Sequence, residues 1–189
     1  MTFETSQHGR DRRPVVSGIL GAATVATGLI AGTFYIFACA VMPALARSDD
    51  RVHIEVMQNI NDVIQNPVFF LCFLGAPLLL AVSAWQLRTA PYRRWILAAL
   101  AAYALAFLVT VVGNIPLNND LAHAGAPARI ADPAAVRDRF EHAWVTWNVI
   151  RTLLSTLALA CLCRALLLRG TAAHTSAYFD SATGSSASR

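Results

Sequence analysis

The chain has 189 residues and a formal net charge of +4 at pH 7, and 56% of its residues are hydrophobic while 14% are charged. This composition is typical of an integral membrane protein and leaves no room for a separate soluble domain. The arginines lie in short segments that flank apolar runs. They do not form the basic patch of a protein that binds nucleic acid.

Four apolar runs are each long enough to cross a bilayer, whose hydrocarbon core of about 30 Å requires about 20 helical residues. Only a helix or a closed barrel satisfies the backbone polar groups inside lipid. The sequence therefore predicts an all-α fold, namely a four-helix transmembrane bundle. The runs are Val16 to Val41, Val68 to Leu87, Trp95 to Val112 and Val149 to Leu168.

The first run is too long for the apolar core of a signal peptide, so we expect it to be a retained helix. Within it, Gly28 and Gly32 form a GxxxG motif, which predicts close contact with another helix backbone. Prolines follow the first and third runs. We expect Pro43-Ala44-Leu45 and Pro116-Leu117 to mark breaks in the two helices.

Two short amphipathic helices are predicted in the outer loops. The first has apolar residues at helical spacing, while His53 lies on another face. The apolar residues are Val52, Val56, Ile60, Val63 and Ile64. Asn66 and Pro67 then suit the cap and first turn of the second span. The other amphipathic helix extends from about Pro133 to Trp147 and runs directly into the fourth span.

The distribution of arginine predicts the topology. The N-terminus, the middle loop and the C-terminal tail carry most of the arginines and few acidic residues, so the positive-inside rule places both termini in the cytoplasm. We expect a multi-pass protein of the cell membrane. Its predicted parts are a cytoplasmic tail at 1–14, a membrane domain at 15–169, and a disordered tail at 170–189 after a helix end at Gly170.

The start of the fourth span places polar and aromatic side chains on one helix face. These are Glu141, Trp144, Asn148, Arg151 and Ser155. A charge inside a membrane helix normally faces the bundle interior and a partner, so we expect Arg151 to point inward. Its expected partner is Asn114, Asn118 or Glu141. Alternatively, Trp144 and Trp147 belong to an interfacial aromatic belt, and Arg151 extends outward to the headgroups.

The sequence does not indicate a metal site. His53, His123 and His142 lie in the predicted outer segments, but no HxxxH, HxH or HExxH spacing is present. A single histidine is easier to assign as a general base, because its pKa lies near neutrality. The catalytic candidates are His53 or Glu141 as the base, together with Arg151.

Three groups of residues form a specific combination. They are Gly32 and Tyr35 with the exit Val41-Met42-Pro43-Ala44-Leu45; Asn114-Ile115-Pro116-Leu117-Asn118; and Arg139-Phe140, Trp144, Trp147-Asn148 and Arg151. With these residues the chain resembles the anthrone-oxygenase-like family of small four-helix membrane proteins. The resemblance extends roughly from Gly18 to Leu168.

The resemblance implies a four-helix bundle with its site near the outer membrane face. Characterised relatives oxidise phenolic anthrones to anthraquinones with dioxygen and with neither metal nor flavin, so no cofactor is expected. Such chemistry needs an apolar pocket, a base, and cationic or amide groups that hold the substrate anion, here Arg151 with Asn118 and Asn148. The full set of substrate-binding candidates is Tyr35, Asn114, Asn118, Trp144, Trp147 and Asn148.

A non-catalytic function is the alternative, in which the chain binds a lipid or a quinone or is a subunit of a complex. The lipid bilayer is the expected partner in either case. A small aromatic substrate and a second copy of the chain, forming a homo-oligomer, are further candidates. A transporter or a channel is disfavoured, because no ionisable residue lies near the middle of any span.

Overall fold

The computed structural model describes the backbone of residues 4–186 and the side chains of residues 16–171. Every regular element in this part of the chain is helical, which confirms the all-α prediction. The α-helices are α1 (Glu4–Ile36), α2 (Met42–Leu45), α3 (Asp50–Val63), α4 (Pro67–Gln86), α5 (Arg93–Val109), α6 (Ile115–His123) and α7 (Pro133–Ser186). Two π-helical turns, Phe37–Val41 and Thr110–Asn114, join α1 to α2 and α5 to α6, and a 3-10 turn, Pro127–Arg129, precedes α7.

Four helical segments are long and apolar enough to cross a membrane. They are Val16–Leu45, Pro67–Gln86, Arg93–His123 and Pro133–Thr171. They contain the four predicted runs almost entirely, and two of them, Arg93–His123 and Pro133–Thr171, extend well beyond those runs. The chain is thus built as a multi-pass membrane protein.

Of the two expected helix breaks, the first is present, because the helix ends at Leu45, and the second is not, because the helix runs through Pro116 and Leu117 to His123. Each proline lies in the first turn of the short helix that follows a π-helical turn, and the helical path continues through it. A proline cannot donate a backbone hydrogen bond. The π-helical turn before each proline shifts the register of the backbone hydrogen bonds, so the helix continues past a proline that would otherwise end it. The predicted break was therefore confirmed at Pro43-Ala44-Leu45 and wrong at Pro116-Leu117.

Each long helix of the bundle packs against two neighbours. The pairs are α1 with α4 and α7, and α5 with α4 and α7. Fully buried alanines form much of the interface, whereas many leucines face outward. Examples are Ala23, Ala76, Ala99 and Ala158 inside, and Leu71, Leu78, Leu105 and Leu153 outside. This distribution is typical of membrane bundles, in which small residues allow close packing and long apolar residues contact lipid.

The predicted GxxxG pair does not take part in this close packing. A Cβ atom on Gly32 would meet no atom within 4 Å, and one on Gly28 would meet only the Leu159 side chain, at 3.7 Å. Within the described residues, the close approaches are made by alanines instead. Gly32 lies on the exposed side of α1, so the motif is not used inside this chain.

Helix α3 covers one end of the bundle and buries a different face from the predicted one. It contacts α6 and α7 and buries His53, Ile54 and Met57. Val52 and Val63, which belong to the predicted apolar stripe, are exposed. The prediction failed because α6 and α7 pack against the side of α3 that carries Ile54 and Met57.

The cap predicted before the second span is confirmed, since the Asn66 side chain accepts a hydrogen bond from the Phe69 N–H at 3.0 Å. The predicted amphipathic segment from Pro133 forms the first part of α7. This helix continues through Gly170, where an end was expected, because one glycine costs a helix only about 1 kcal/mol. The tails at 1–14 and 170–189 lie almost entirely outside the residues with described side chains, and their limits stay predictions.

We expect Gly113→Ala to destabilise the protein, because the new Cβ would lie 2.8 Å from the Trp147 ring. Overpacking of this kind costs about 1–3 kcal/mol. Gly32→Ala is the matched control, since its site is open and alanine is favoured over glycine in helices by about 0.5–1 kcal/mol. Thermal unfolding in detergent should show a lower midpoint for Gly113→Ala alone. Equal midpoints would contradict the close packing of Trp147 on Gly113.

Candidate functional site

A layer of buried polar side chains separates two hydrophobic clusters of the bundle. Along α7, Phe140 and Trp144 belong to the cluster beneath α3, and Ala158 and Leu162 belong to the cluster of the membrane spans. The buried polar residues of α7 lie between them in the sequence. They are Asn148, Arg151, Thr152 and Ser155. Buried polar groups require partners, so this layer is where a functional site is to be sought.

Arg151 lies at the centre of this layer and points inward, as predicted. Only 6% of the residue is exposed. Its Nη2 donates to Asn148 Oδ1 at 2.8 Å. Its guanidinium carbon lies 4.2 Å from the centroid of the Phe34 ring and 5.5 Å from that of the Trp144 ring. The alternative in which Arg151 extends to the headgroups is therefore wrong, because two aromatic rings and an amide enclose the guanidinium.

None of the partners expected for Arg151 forms a hydrogen bond with it. Asn148 lies on the same face of α7 one turn away and takes the hydrogen bond, whereas Asn114, Asn118 and Glu141 bond elsewhere. Both ion pairs found among the described residues belong to Arg137. The guanidinium of Arg151 thus has no carboxylate partner in this part of the chain, and its Nε is buried without a hydrogen-bond acceptor.

An unpaired buried cation is costly. Desolvation of a charge is offset only by an opposite charge and hydrogen bonds, and the two aromatic rings supply only part of this through cation–π attraction. The arrangement therefore suits an anionic ligand.

Two asparagines of the predicted site hold the helices together. Asn148 Nδ2 donates to the Phe34 carbonyl of α1 at 3.1 Å, and Asn114 Nδ2 donates to the Trp144 carbonyl of α7 at 3.3 Å. Asn114 closes one π-helical turn, and Phe34 lies just before the other. Neither amide lines the cavity that adjoins Arg151, so their role is to position Arg151 and Trp144.

A cavity of about 190 Å³ adjoins the guanidinium of Arg151. Six aromatic side chains line it, namely Phe34, Phe37, Phe69, Phe70, Phe73 and Trp144. Seven polar side chains line it as well, namely Thr33, Asn61, Gln65, Thr110, Asn118, Asn119 and Arg151. An apolar cavity with a few converging polar groups is the usual form of a small-molecule site.

Trp144 and Asn118 are joined at the wall of this cavity. The Trp144 Nε1 donates to Asn118 Oδ1 at 2.8 Å, and the indole lies against the Phe37 ring with centroids 5.5 Å apart. Because its oxygen is occupied, Asn118 keeps its Nδ2 as a donor, and this atom bonds to no other described residue. The side chain can therefore donate to a ligand.

The two predicted bases lie outside the cavity lining. His53 is fully buried on the inner face of α3, with its Nδ1 3.4 Å from the Leu45 carbonyl. Its ring is edge-on to the Phe140 ring, with centroids 6.3 Å apart. Glu141 accepts a bond of 2.6 Å from Arg137. The structure therefore does not bring His53 and Glu141 together with Arg151.

Arg137 connects the loop before α3 to α7, and this explains the position of Glu141. Besides Glu141, it donates to Asp50 Oδ1 at 2.8 Å and to the carbonyls of Ser48 and Ala46, each at 3.0 Å. Such charge-assisted bonds are the stronger class of hydrogen bond. Glu141 thus serves the packing of α3 onto the bundle.

Tyr35 and Trp147, two predicted binding residues, also lie elsewhere. Tyr35 is 59% exposed on the outer side of α1. Trp147 is half-buried against Gly113. Neither lines the cavity. Of the nine candidates, the structure places Arg151, Asn118 and Trp144 on its wall.

Sequence reasoning missed most of the wall. Phe69 and Phe73 are separated by one turn of α4, whereas Asn61 lies near the end of α3 and Gln65 in the loop after it. The spacing of Phe69 and Phe73 puts them on one helix face and is visible in the sequence. Nothing in the sequence indicates that this face or the end of α3 meets Arg151. Among residues 16–171, no three His, Cys, Asp or Glu side chains group as metal ligands do.

We expect the stability of the protein to fall below about pH 6.5 because of His53. Burial lowers its pKa from the ordinary value of 6.5, so the unfolded chain binds a proton at a pH where the folded chain does not. The charged groups that act on it are Glu141 and Asp50, which raise its pKa, and Arg137, which lowers it. The effect should increase until the pH passes the lowered pKa.

Thermal unfolding from pH 8 to pH 5 checks this expectation, since ordinary and lowered histidine pKa values fall in or near this range. His53→Gln should reduce the loss of stability at low pH. Exposed His142 provides the control, and His142→Gln should behave as the wild type. An unchanged pH dependence in His53→Gln would exclude His53 as its source.

One comparison with known proteins gave a match. The family model described as anthrone oxygenase matches residues 59–161, a span that runs from the end of α3 through the first half of α7 and includes Asn118, Trp144 and Arg151. No curated protein and no solved structure matched. Because the family model covers more than half of the sequence, the chain belongs to the anthrone oxygenase family.

Proposed function

We propose that this protein is a membrane-embedded oxygenase that needs no cofactor and acts on a flat phenolic, anthrone- or quinone-like substrate. The substrate binds in the aromatic cavity as an anion beside Arg151. The observation that carries the proposal is the buried guanidinium without a carboxylate partner on the wall of that cavity. Membership of the anthrone oxygenase family supports the reaction type.

The charge of Arg151 favours the ionised form of a phenol or an enol. An opposite charge within a few ångströms lowers the pKa of an acid, and the effect is larger in a site that excludes water. The Nδ2 group of Asn118 adds a neutral donor at the wall. Arg151 and Asn118 would together stabilise the oxygen anion on which the reaction depends.

The walls of the cavity suit a planar ring system. Phe69 and Phe73 are stacked with centroids 5.4 Å apart and an interplanar angle of 14°, and Phe107 continues the stack behind Phe73 at 5.1 Å. Offset-stacked rings provide flat apolar surface and additional attraction to an aromatic ligand. A fused-ring substrate would lie against this surface with its oxygen near Arg151.

The described lining includes no carboxylate and no imidazole. We therefore assign proton removal to water, not to His53 or Glu141. Loss of a proton from the methylene carbon of an anthrone gives an enolate, whose carbon bonds to dioxygen. The resulting peroxide is protonated and loses water, leaving a carbonyl. In sum, the CH₂ group and O₂ become C=O and H₂O, with the carbon oxidised and dioxygen reduced.

We also propose that both termini lie in the cytoplasm, because arginines are concentrated in the termini and in the loop between α4 and α5. In this orientation α3, α6 and the cavity lie at the outer side of the cell membrane. A phenolic substrate dissolved in the outer leaflet would then be close to the site.

The decisive experiment compares the wild type with Arg151→Met, using 1,8-dihydroxyanthrone in air and following quinone absorbance. We expect kcat/KM to fall by about 10²–10³, as for loss of one anion-stabilising donor. The melting temperature should stay equal or rise, since methionine removes an unpaired buried charge. A merely structural arginine would show the opposite pattern, a loss of stability.

Arg139→Met is the matched control, because Arg139 lies on the exposed side of the same helix and bonds only to the Ala135 carbonyl. It should retain the wild-type rate. Equal rates in wild type and Arg151→Met would contradict the proposal. Saturable binding without quinone formation above autoxidation would favour the non-catalytic alternative.

A further inference from the structure

We infer that the cavity beside Arg151 has two mouths of opposite polarity, and that its ligand enters from the bilayer through the apolar one. This inference rests on the proposed function, because it specifies the route of a membrane-dissolved substrate. It is carried by two surface grooves that share wall residues with the cavity.

The first groove is apolar and opens beside the start of α4. It has a volume of about 470 Å³, and it shares Phe37, Ile60 and Ile64 with the cavity. Val56 and Val63 extend it outward along α3. The shared residues make the groove and the cavity continuous, and apart from Asn59 and Asn66 the residues that line the groove are apolar. We call this opening the apolar mouth.

The rim of the apolar mouth faces lipid. Val63, which lines the groove, is 71% exposed, and Val68 and Leu71, which follow the lining residue Asn66 in the first turns of α4, are each 74% exposed. Helix α4 is a membrane span that begins at Pro67. Exposed apolar side chains at the start of a span lie where the bilayer begins, so the mouth opens into the edge of the hydrocarbon region.

The second groove is polar and lies between α3 and α6. It has a volume of about 490 Å³, and it shares Asn61, Gln65, Asn118 and Asn119 with the cavity. Its outer wall adds Gln58 and Asp62, among others. Amide and carboxylate groups at an open surface are hydrated, so this polar mouth provides a path for water and for the proton that the substrate loses.

The last turns of α3 separate the two mouths. Ile60 and the C-cap residue Ile64 lie one turn apart, and Asn61 lies on a different face of the helix. Gln65, in the loop after α3, donates its Nε2 to the Asn61 carbonyl at 2.9 Å. The Asn61 Nδ2 is buried without a partner. The end of α3 and the loop that follows it therefore divide the entrance of the cavity by polarity.

The route follows from where the ligand is concentrated. Each Å² of apolar surface favours transfer out of water by about 25 cal/mol, so a fused-ring phenol partitions strongly into the bilayer. The apolar mouth connects that reservoir to the stacked phenylalanines without crossing a hydrated surface. The ligand can keep its rings in contact with apolar surface along the whole route while its oxygen reaches Arg151.

The environment of each mouth can be measured without any ligand. Asp62 and Val63 are neighbours on α3, belong to different mouths and do not line the cavity. A spin label is attached at Asp62→Cys or at Val63→Cys, with the four native cysteines, which form no disulfide, replaced by alanine. In lipid nanodiscs, the label at 63 should collide more with dioxygen than with a water-soluble nickel chelate, and the label at 62 should show the reverse. The same preference at both positions would overturn the inference.

The direction of entry is tested with bulky side chains at the same two positions. We expect Val63→Trp to slow the binding of 1,8-dihydroxyanthraquinone from loaded nanodiscs by about tenfold, as a barrier higher by about 1.4 kcal/mol would. The Kd should stay unchanged, since a narrowed mouth slows entry and exit alike. Asp62→Trp should bind at the wild-type rate.

Slowing by Asp62→Trp alone would show entry from water and overturn the inference while leaving the proposed function intact. Failure of the wild type to bind would instead count against the proposed function, and the spin labels decide the polarity of the mouths in either case.

Discussion

A guanidinium is held in an apolar interior without a carboxylate, and much of the structure around it serves to hold it there. Asn148 accepts its hydrogen bond and, through its amide nitrogen, ties α7 to the Phe34 carbonyl of α1. Phe34 and Trp144 place their rings within cation–π distance. These groups reduce the cost of burying Arg151 but leave its charge unbalanced. An anion that enters the cavity would balance this charge and thereby gain binding free energy.

Arg137, on the same helix as Arg151, has a very different environment. Arg137 bonds to two carboxylates and two carbonyls. Arg51 likewise bonds to the carbonyls of Pro127 and Ile130. Both of these arginines join segments at the α3 end of the bundle and bond to acceptors within the chain. Arg151 differs from both, because it is buried in the bundle and its Nε has no acceptor among the described residues.

The cavity exists because the bundle is packed differently at its two levels. Alanines bring the spans close together in the membrane core, whereas large side chains such as Met57, Phe140 and Trp144 fill the region beneath α3. The π-helical turns lie where one level changes into the other, and each is adjacent to an amide–carbonyl bond between helices. Wide turns often occur at functional sites, and here they accompany the polar layer that bounds the cavity.

The sequence by itself determined the four spans, the all-α class, the cap at Asn66 and the inward direction of Arg151. Each of these follows from hydropathy or from helical period, which depend on residues close together in the chain. Only the tertiary structure decided that His53 and Glu141 lie apart from Arg151, that Tyr35 faces outward, and that Phe69 and Phe73 form the wall. These relations depend on how helices rotate and pack against one another, which residue spacing along one helix does not specify. The tertiary structure also decided the π-helical turns before Pro43 and Pro116, because the contacts around a proline determine whether the helix ends or widens there.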